Sequence, residues 1–130
     1  MKIMVAFEGS NVAKTALEVA KKHARAFDAQ VVLVWSMVKG EEEQQAKIKD
    51  AENALAYWQE EIRRDGLACE THLLIRGLHA GEDLVRFAGD RQVEEIVIGV
   101  RRRSKVGKLV FGSNAQYVIL NAPCPVVCVR

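Results

Sequence analysis

The 130-residue sequence is poor in cysteine and proline, with three and two residues, respectively. The cysteines are odd in number, and Cys124 and Cys128 do not form a CxxC pair, so we expect no disulfide framework and a cytoplasmic location. No stretch approaches the roughly 20 apolar residues needed to cross a bilayer, and the first residues lack the layout of a signal peptide. The composition therefore argues against disulfide-stapled secreted proteins and membrane-spanning proteins.

A strong charge of one sign is also lacking. The chain has 19 basic and 17 acidic residues and a net charge of +2, so non-specific nucleic-acid binding is not expected. Five of the 19 basic residues nevertheless lie between Arg101 and Lys108, which favours a local anion site. With 49% hydrophobic and 28% charged residues, the chain is predicted to form one globular domain over residues 1–130.

Apolar runs alternate with segments of helical periodicity along the whole chain. Strands are predicted at residues 2–7, 30–37, 69–75, 95–98 and 126–129, with helices between them. Near-continuous apolar runs are typical of strands buried on both faces of a parallel sheet. Residues 78–81 are predicted to form a loop before the third helix. The predicted fold class is α/β, a doubly wound, open parallel sheet of five strands with helix layers on both faces.

The last third of the chain combines features suited to holding phosphate. An apolar run ends at Ile98 and Gly99, a basic loop follows at residues 101–105, and residues 112–114 open a helix-like stretch. Free N–H groups and the dipole at a helix start attract anions. If the first and fourth strands are neighbours where the strand order reverses, this region meets residues 8–10 in one crevice.

Three blocks of the sequence resemble the universal stress protein family. They are residues 5–10, 98–113 and 122–127, and they follow the family's order over essentially the whole chain. The resemblance implies a sheet with strand order 3-2-1-4-5, binding of ATP in many members, and a homodimer. In the family the edge strand, here Val126–Val129, pairs antiparallel with its copy, so we expect the same interface.

The family's nucleotide motif is Gly, two residues, Gly, nine residues, then Gly with Ser or Thr. Gly99, Gly112 and Ser113 match this motif, whereas Arg102 replaces its second glycine. Glu8 stands where the family has Asp, and a Glu extends one methylene further.

The resemblance implies a stress-response protein that binds ATP or AMP as a regulatory ligand. Ser36 aligns with a family contact to adenine in the second strand. With ATP, Mg²⁺ is expected to bridge phosphates and water, with little direct protein ligation. The residues expected at the nucleotide are Phe7, Glu8, Ser36, Ile98, Gly99, Arg101, Arg102, Gly112, Ser113 and Asn114.

Plainer interpretations of these residues remain open. Gly99 can simply end a strand, residues 112–113 can be an ordinary loop and helix cap, and residues 101–103 can be a solvated basic loop. The alternative function is a dimeric stress-response scaffold that binds no nucleotide, with Arg102 blocking the pocket. A phospho-acceptor receiver domain is disfavoured because the first strand is followed by only one acid, Glu8.

The sequence does not point to an enzyme. No Ser-His-Asp, Cys-His or paired-carboxylate set stands out at a shared strand end, so at most slow ATP hydrolysis is expected. The three histidines show no metal-ligand spacing, and no protein metal site is predicted.

Overall fold

A computed structural model of the chain describes residues 1–38, 44–100 and 111–130. Every predicted strand is present, and each of its ends lies within one residue of the predicted end. In chain order the elements are β1 (Lys2–Ala6), α1 (Asn11–Phe27), β2 (Gln30–Ser36), α2 (Gln44–Arg64), β3 (Cys69–Leu74), α3 (Ala80–Asp90), β4 (Glu95–Gly99), α4 (Ser113–Asn121) and β5 (Val126–Val129).

The five strands form one parallel sheet in the order β3-β2-β1-β4-β5, as predicted. In the central strand, Val5 lies opposite Leu33 of β2 on one side and Val97 of β4 on the other. The chain builds one half of the sheet from β1 to β3 and then crosses β1 to begin the other half at β4. The strand order therefore reverses between β1 and β4, and a crevice forms beyond their carboxyl ends.

Helices cover both faces of the sheet, and each face has its own hydrophobic core. On one face, Leu17 of α1 and Ile62 of α2 pack with the inward side chains of β1 and β2. On the other face, Phe87 of α3 and Val118 of α4 pack with the alternate residues of the same strands, such as Met4. Burial on both faces explains why β1 reads as a continuous apolar run.

The turn after β1 is fixed by side-chain and backbone geometry. Gly9 has a φ of 83°, which other residues rarely adopt, and it leads into Ser10, the N-cap of α1. The Ser10 hydroxyl accepts a hydrogen bond from the backbone N–H of Ala13 at 3.2 Å. This cap holds the end of β1 and the start of α1 in a defined position beside the crevice.

The predicted loop at residues 78–81 is wrong in its second half, because α3 begins at Ala80. The N-cap, His79, makes no side-chain capping hydrogen bond, so the capping signal is missing at this helix start, and only the acidic residues of the first turn, Glu82 and Asp83, mark it. Gly81 is instead a helical residue, buried against α4. Among the described residues, none of the helices is both long and apolar enough to cross a membrane.

Candidate functional site

A cavity of about 380 Å³ opens where the strand order reverses, between the ends of β1 and β4. Its walls also include the end of β2 and the first turns of α3 and α4. Eight of the ten predicted site residues line this cavity: Phe7, Glu8, Ser36, Ile98, Gly99, Gly112, Ser113 and Asn114. The other two, Arg101 and Arg102, lie outside the described residues.

Phe7 forms a rigid part of the wall at the end of β1. It is only 2% exposed, and its ring packs edge-on against Trp35 and Trp58, at centroid distances of 5.9 and 6.2 Å. Its backbone N–H donates to the carbonyl oxygen of Val34 at 3.0 Å. Because both the ring and the backbone are held in the core, this wall is formed before any ligand arrives.

Glu8 supplies an exposed carboxylate at the cavity. Its Oε1 accepts a hydrogen bond from the backbone N–H of Ser10 at 2.9 Å, across the turn that contains Gly9. The bond leaves the second carboxylate oxygen able to accept hydrogen bonds from a ligand. Glu8 can therefore serve as an acceptor for hydroxyl or amino groups at this end of the cavity.

The two glycines of the motif have different structural roles. A Cβ on Gly99 would lie 2.9 Å from Val12 Cγ1 and 3.0 Å from the Val12 carbonyl carbon, so the packing of β4 against α1 requires glycine there. A Cβ on Gly112 would meet nothing within 4 Å, and its φ of −64° suits any residue. Packing therefore explains why position 99 needs a glycine. It does not explain the glycine at position 112, where the space beside the Cα is open and borders the cavity.

The start of α4 is held in place by α3. The backbone N–H of Gly81 donates to Asn114 Oδ1 at 2.9 Å, so the Asn114 side chain bridges the first turns of the two helices. The first N–H groups of any α-helix lack acceptors within the helix and can bind an anion. With Gly112 as its N-cap and Ser113 as its first residue, α4 directs this end toward the cavity.

A buried charge network beside the cavity was missed from the sequence. Asp83 of α3 is fully buried, and its Oδ1 accepts a hydrogen bond from Arg76 Nε at 2.6 Å. The Ser36 hydroxyl donates to Asp83 Oδ2 at 3.2 Å. The sequence did carry one signal, since Asp83 is a carboxylate on the inward-facing stripe of α3, between Ala80 and Phe87. Its partners could not be read from that stripe, because they come from other elements.

The three cysteines, which all lie among the described residues, are poor candidates for reactive thiols. Burial raises the pKa of the Cys69 thiol to about 11 and also raises the pKa values of Cys124 and Cys128. A thiol with a raised pKa is a poor nucleophile because little thiolate forms near neutrality. Within residues 1–38, 44–100 and 111–130, no group of three or more His, Cys, Asp or Glu side chains is placed to hold a metal ion.

Comparison with known proteins identifies the family. A universal stress protein of Thermus aquaticus is 34% identical over 137 residues, covering 98% of this chain and 97% of the relative. The structure of a universal stress protein from Archaeoglobus fulgidus is 36% identical, with a TM-score of 0.87 and coverage of 99% of this chain and 97% of that one.

A further structure from the same organism, a universal stress protein in complex with dAMP, is 32% identical. Its TM-score is 0.80, and the match covers 99% of this chain and 96% of that one. The family model for universal stress proteins matches residues 1–130. The chain belongs to the universal stress protein family.

Proposed function

We propose that this chain binds an adenine nucleotide, AMP or ATP, as a regulatory ligand in a stress response. The observation that carries the proposal is the convergence of two remote segments, residues 7–8 and residues 112–114, on one cavity at the reversal of strand order. The cavity volume of about 380 Å³ falls in the range of small-molecule sites. The dAMP complex of the relative from Archaeoglobus fulgidus supports the choice of an adenine nucleotide.

In this proposal the base lies near Phe7, Glu8 and Ser36. The apolar residues Ala6, Val34, Leu84 and Ile98 also line the cavity. The ribose and phosphates extend toward Gly99 and the start of α4, where residues 112–114 offer N–H groups and a hydroxyl. Arg101 and Arg102 are proposed to add positive charge beside the phosphates. With ATP, Mg²⁺ would be held by phosphate oxygens and water.

Isothermal titration with AMP and ATP tests the proposal directly. We expect both to bind the wild-type chain, and Gly112→Val to weaken the affinity at least about tenfold, since a side chain there enters the space assigned to phosphate. Gly89→Val is the matched control, because a Cβ on Gly89 also meets nothing within 4 Å but lies on α3 outside the cavity lining. Equal affinity in the two variants, or no binding to the wild type, would contradict the proposal.

We also propose that the chain forms a two-fold homodimer through β5. This strand is at the edge of the sheet, and Cys128 on it is exposed. The carbonyl oxygens of Pro125 and Val129 accept hydrogen bonds from Ile96 of β4 and from Val100 directly after it. By alternation the backbone groups of Val126 and Cys128 therefore face outward. An apolar edge that pairs with no further strand among the described residues favours pairing with another chain.

Light scattering after size exclusion measures the oligomeric state. We expect a dimer for the wild type and for Cys128→Ser, and a monomer for Cys128→Pro, which removes an outward N–H without removing a bond to β4. A folded wild-type monomer would refute the dimer.

The dimeric scaffold without nucleotide remains the second candidate, because the edge strand does not depend on the cavity. It predicts a dimer that purifies without adenine nucleotide and gives no heat on titration with AMP or ATP.

A further inference from the structure

The Ser36 hydroxyl has a fixed hydrogen-bonding direction. It lines the cavity at the end of β2 and donates its proton to Asp83 Oδ2 at 3.2 Å. Asp83 is fully buried, and its other oxygen, Oδ1, is paired with the Arg76 guanidinium. A carboxylate paired in this way can only accept hydrogen bonds, so Ser36 has no choice but to donate to it.

Arg76 contacts both the carboxylate and the backbone of Asp83. Its Nε donates to Asp83 Oδ1 at 2.6 Å, and its Nη2 donates to the Asp83 backbone carbonyl oxygen at 3.3 Å. This arrangement directs Oδ2 toward β2. Because a hydroxyl has one proton and two acceptor lone pairs, the proton of Ser36 is committed to Asp83, and only lone pairs remain for a ligand.

We propose that the Arg76–Asp83–Ser36 network makes the cavity select a purine with a hydrogen-bond donor at position 6, an amino group rather than a carbonyl. This inference rests on the proposed function, since it assumes that the purine lies beside Ser36. In adenine the 6-amino group donates to the Ser36 oxygen. In hypoxanthine the 6-carbonyl places a lone pair against a lone pair, so neither group can donate a hydrogen bond to the other. Asp83 and Arg76 are positioning residues, and Ser36 is the residue that contacts the base.

An isosteric change at Asp83 should reverse this preference. In Asp83→Asn, Arg76 still donates to position Oδ1, so the amide oxygen must occupy that position and the amide NH₂ must face Ser36. The Ser36 oxygen then accepts from the amide, and its proton becomes free to point into the cavity. A purine with a carbonyl at position 6 becomes the better partner.

The test is isothermal titration of the full chain with AMP, IMP and purine riboside 5′-monophosphate, which lacks any group at position 6. For the wild type we expect AMP to bind about tenfold more tightly than either analogue. In Ser36→Ala the three affinities should come within about threefold of one another, while Ser36→Thr, which keeps the hydroxyl, should retain the preference for AMP. In Asp83→Asn, the ratio of the AMP affinity to the IMP affinity should be about tenfold lower than in the wild type.

The exposed carboxylate of Asp90, on the same helix, provides a matched control, and Asp90→Asn should leave all three affinities unchanged. If AMP binds but Ser36→Ala leaves the ratio of AMP to IMP affinity unaltered, the inference is wrong while the proposed function stands. A wild type that prefers IMP also overturns it. If none of the three nucleotides binds, the proposed function itself fails, and this inference fails with it. Should Asp83→Asn not fold, the two Ser36 variants decide alone.

Discussion

Gly81 controls how closely α3 approaches α4, and its replacement by alanine should destabilise the fold. A Cβ at this position would lie 2.9 Å from the Asn114 carbonyl oxygen and 3.0 Å from the Tyr117 Cβ. The first of these contacts is with backbone, which cannot rotate away, so the two helices must separate. Overpacking of this kind costs about 1–3 kcal/mol. The helix propensity of alanine offsets at most about 1 kcal/mol of that cost.

With that offset, Gly81→Ala should lower the free energy of unfolding by up to about 2 kcal/mol. For a chain of this length, 1 kcal/mol corresponds to about 4 °C in Tm, so Tm should fall by up to about 8 °C. The same substitution at Gly89, in the same helix, has open space around its Cβ. There only the propensity gain applies, and Tm should rise by about 2–4 °C.

Thermal unfolding followed by far-ultraviolet circular dichroism measures both variants against the wild type. Because the Gly81 N–H also holds Asn114 Oδ1, Gly81→Ala should displace the start of α4 and weaken AMP binding, whereas Gly89→Ala should leave AMP binding unchanged. If both variants raise Tm equally, the inference that α3 and α4 lie too close at Gly81 for a Cβ is wrong.

Three further predictions concern residues away from the cavity. Burial raises the pKa of Cys69 to about 11, so iodoacetamide at pH 8 should label this thiol only after unfolding, and mass spectrometry showing equal labelling of the native chain would contradict it. A hydrogen bond from His72, 2.9 Å away, lowers the pKa of Glu70 in the folded chain. The ionised Glu70 therefore stabilises the fold above the pKa of an unfolded Glu, about 4.3, and this stabilisation is lost as the pH falls below that value. Urea midpoints should therefore fall less on acidification in Glu70→Gln than in the wild type, and identical pH profiles would rule this out. His23→Ala leaves the largely buried carboxylate of Glu95 without the imidazole that lies 2.6 Å away. Urea unfolding should show a loss of about 1–3 kcal/mol in the free energy of unfolding, and an unchanged value would refute this prediction.

The strands could be predicted because their signals are local and strong, whereas their order was implied by the resemblance to the universal stress protein family. Runs such as Lys2–Ala6 and Gln30–Ser36 are apolar throughout since both faces of the sheet are covered. Gly66 and Ser10 mark helix ends through backbone conformation and capping. The start of α3 was misjudged because Gly81, a residue that disfavours helices, is there for a tertiary reason, the contact with α4.

The candidate site was predictable in outline because its residues follow the carboxyl ends of neighbouring parallel strands, where topology brings them together. Glu8 and Gly99, at the ends of the first and fourth strands, line the same cavity for this reason. Asp83 was missed because a carboxylate in the first turn of a helix is explained equally well by the helix dipole. Only the tertiary structure shows that it lies between Arg76 and Ser36.

The claim that an adenine nucleotide binds between the ends of β1 and β4 is tested most directly by amide NMR during titration with AMP. We expect the largest shift changes to cluster at Glu8, Ser36, Gly99 and residues 112–114, with saturation at one nucleotide per chain. Shift changes confined to other parts of the sheet, or spectra that do not respond to AMP, would contradict it.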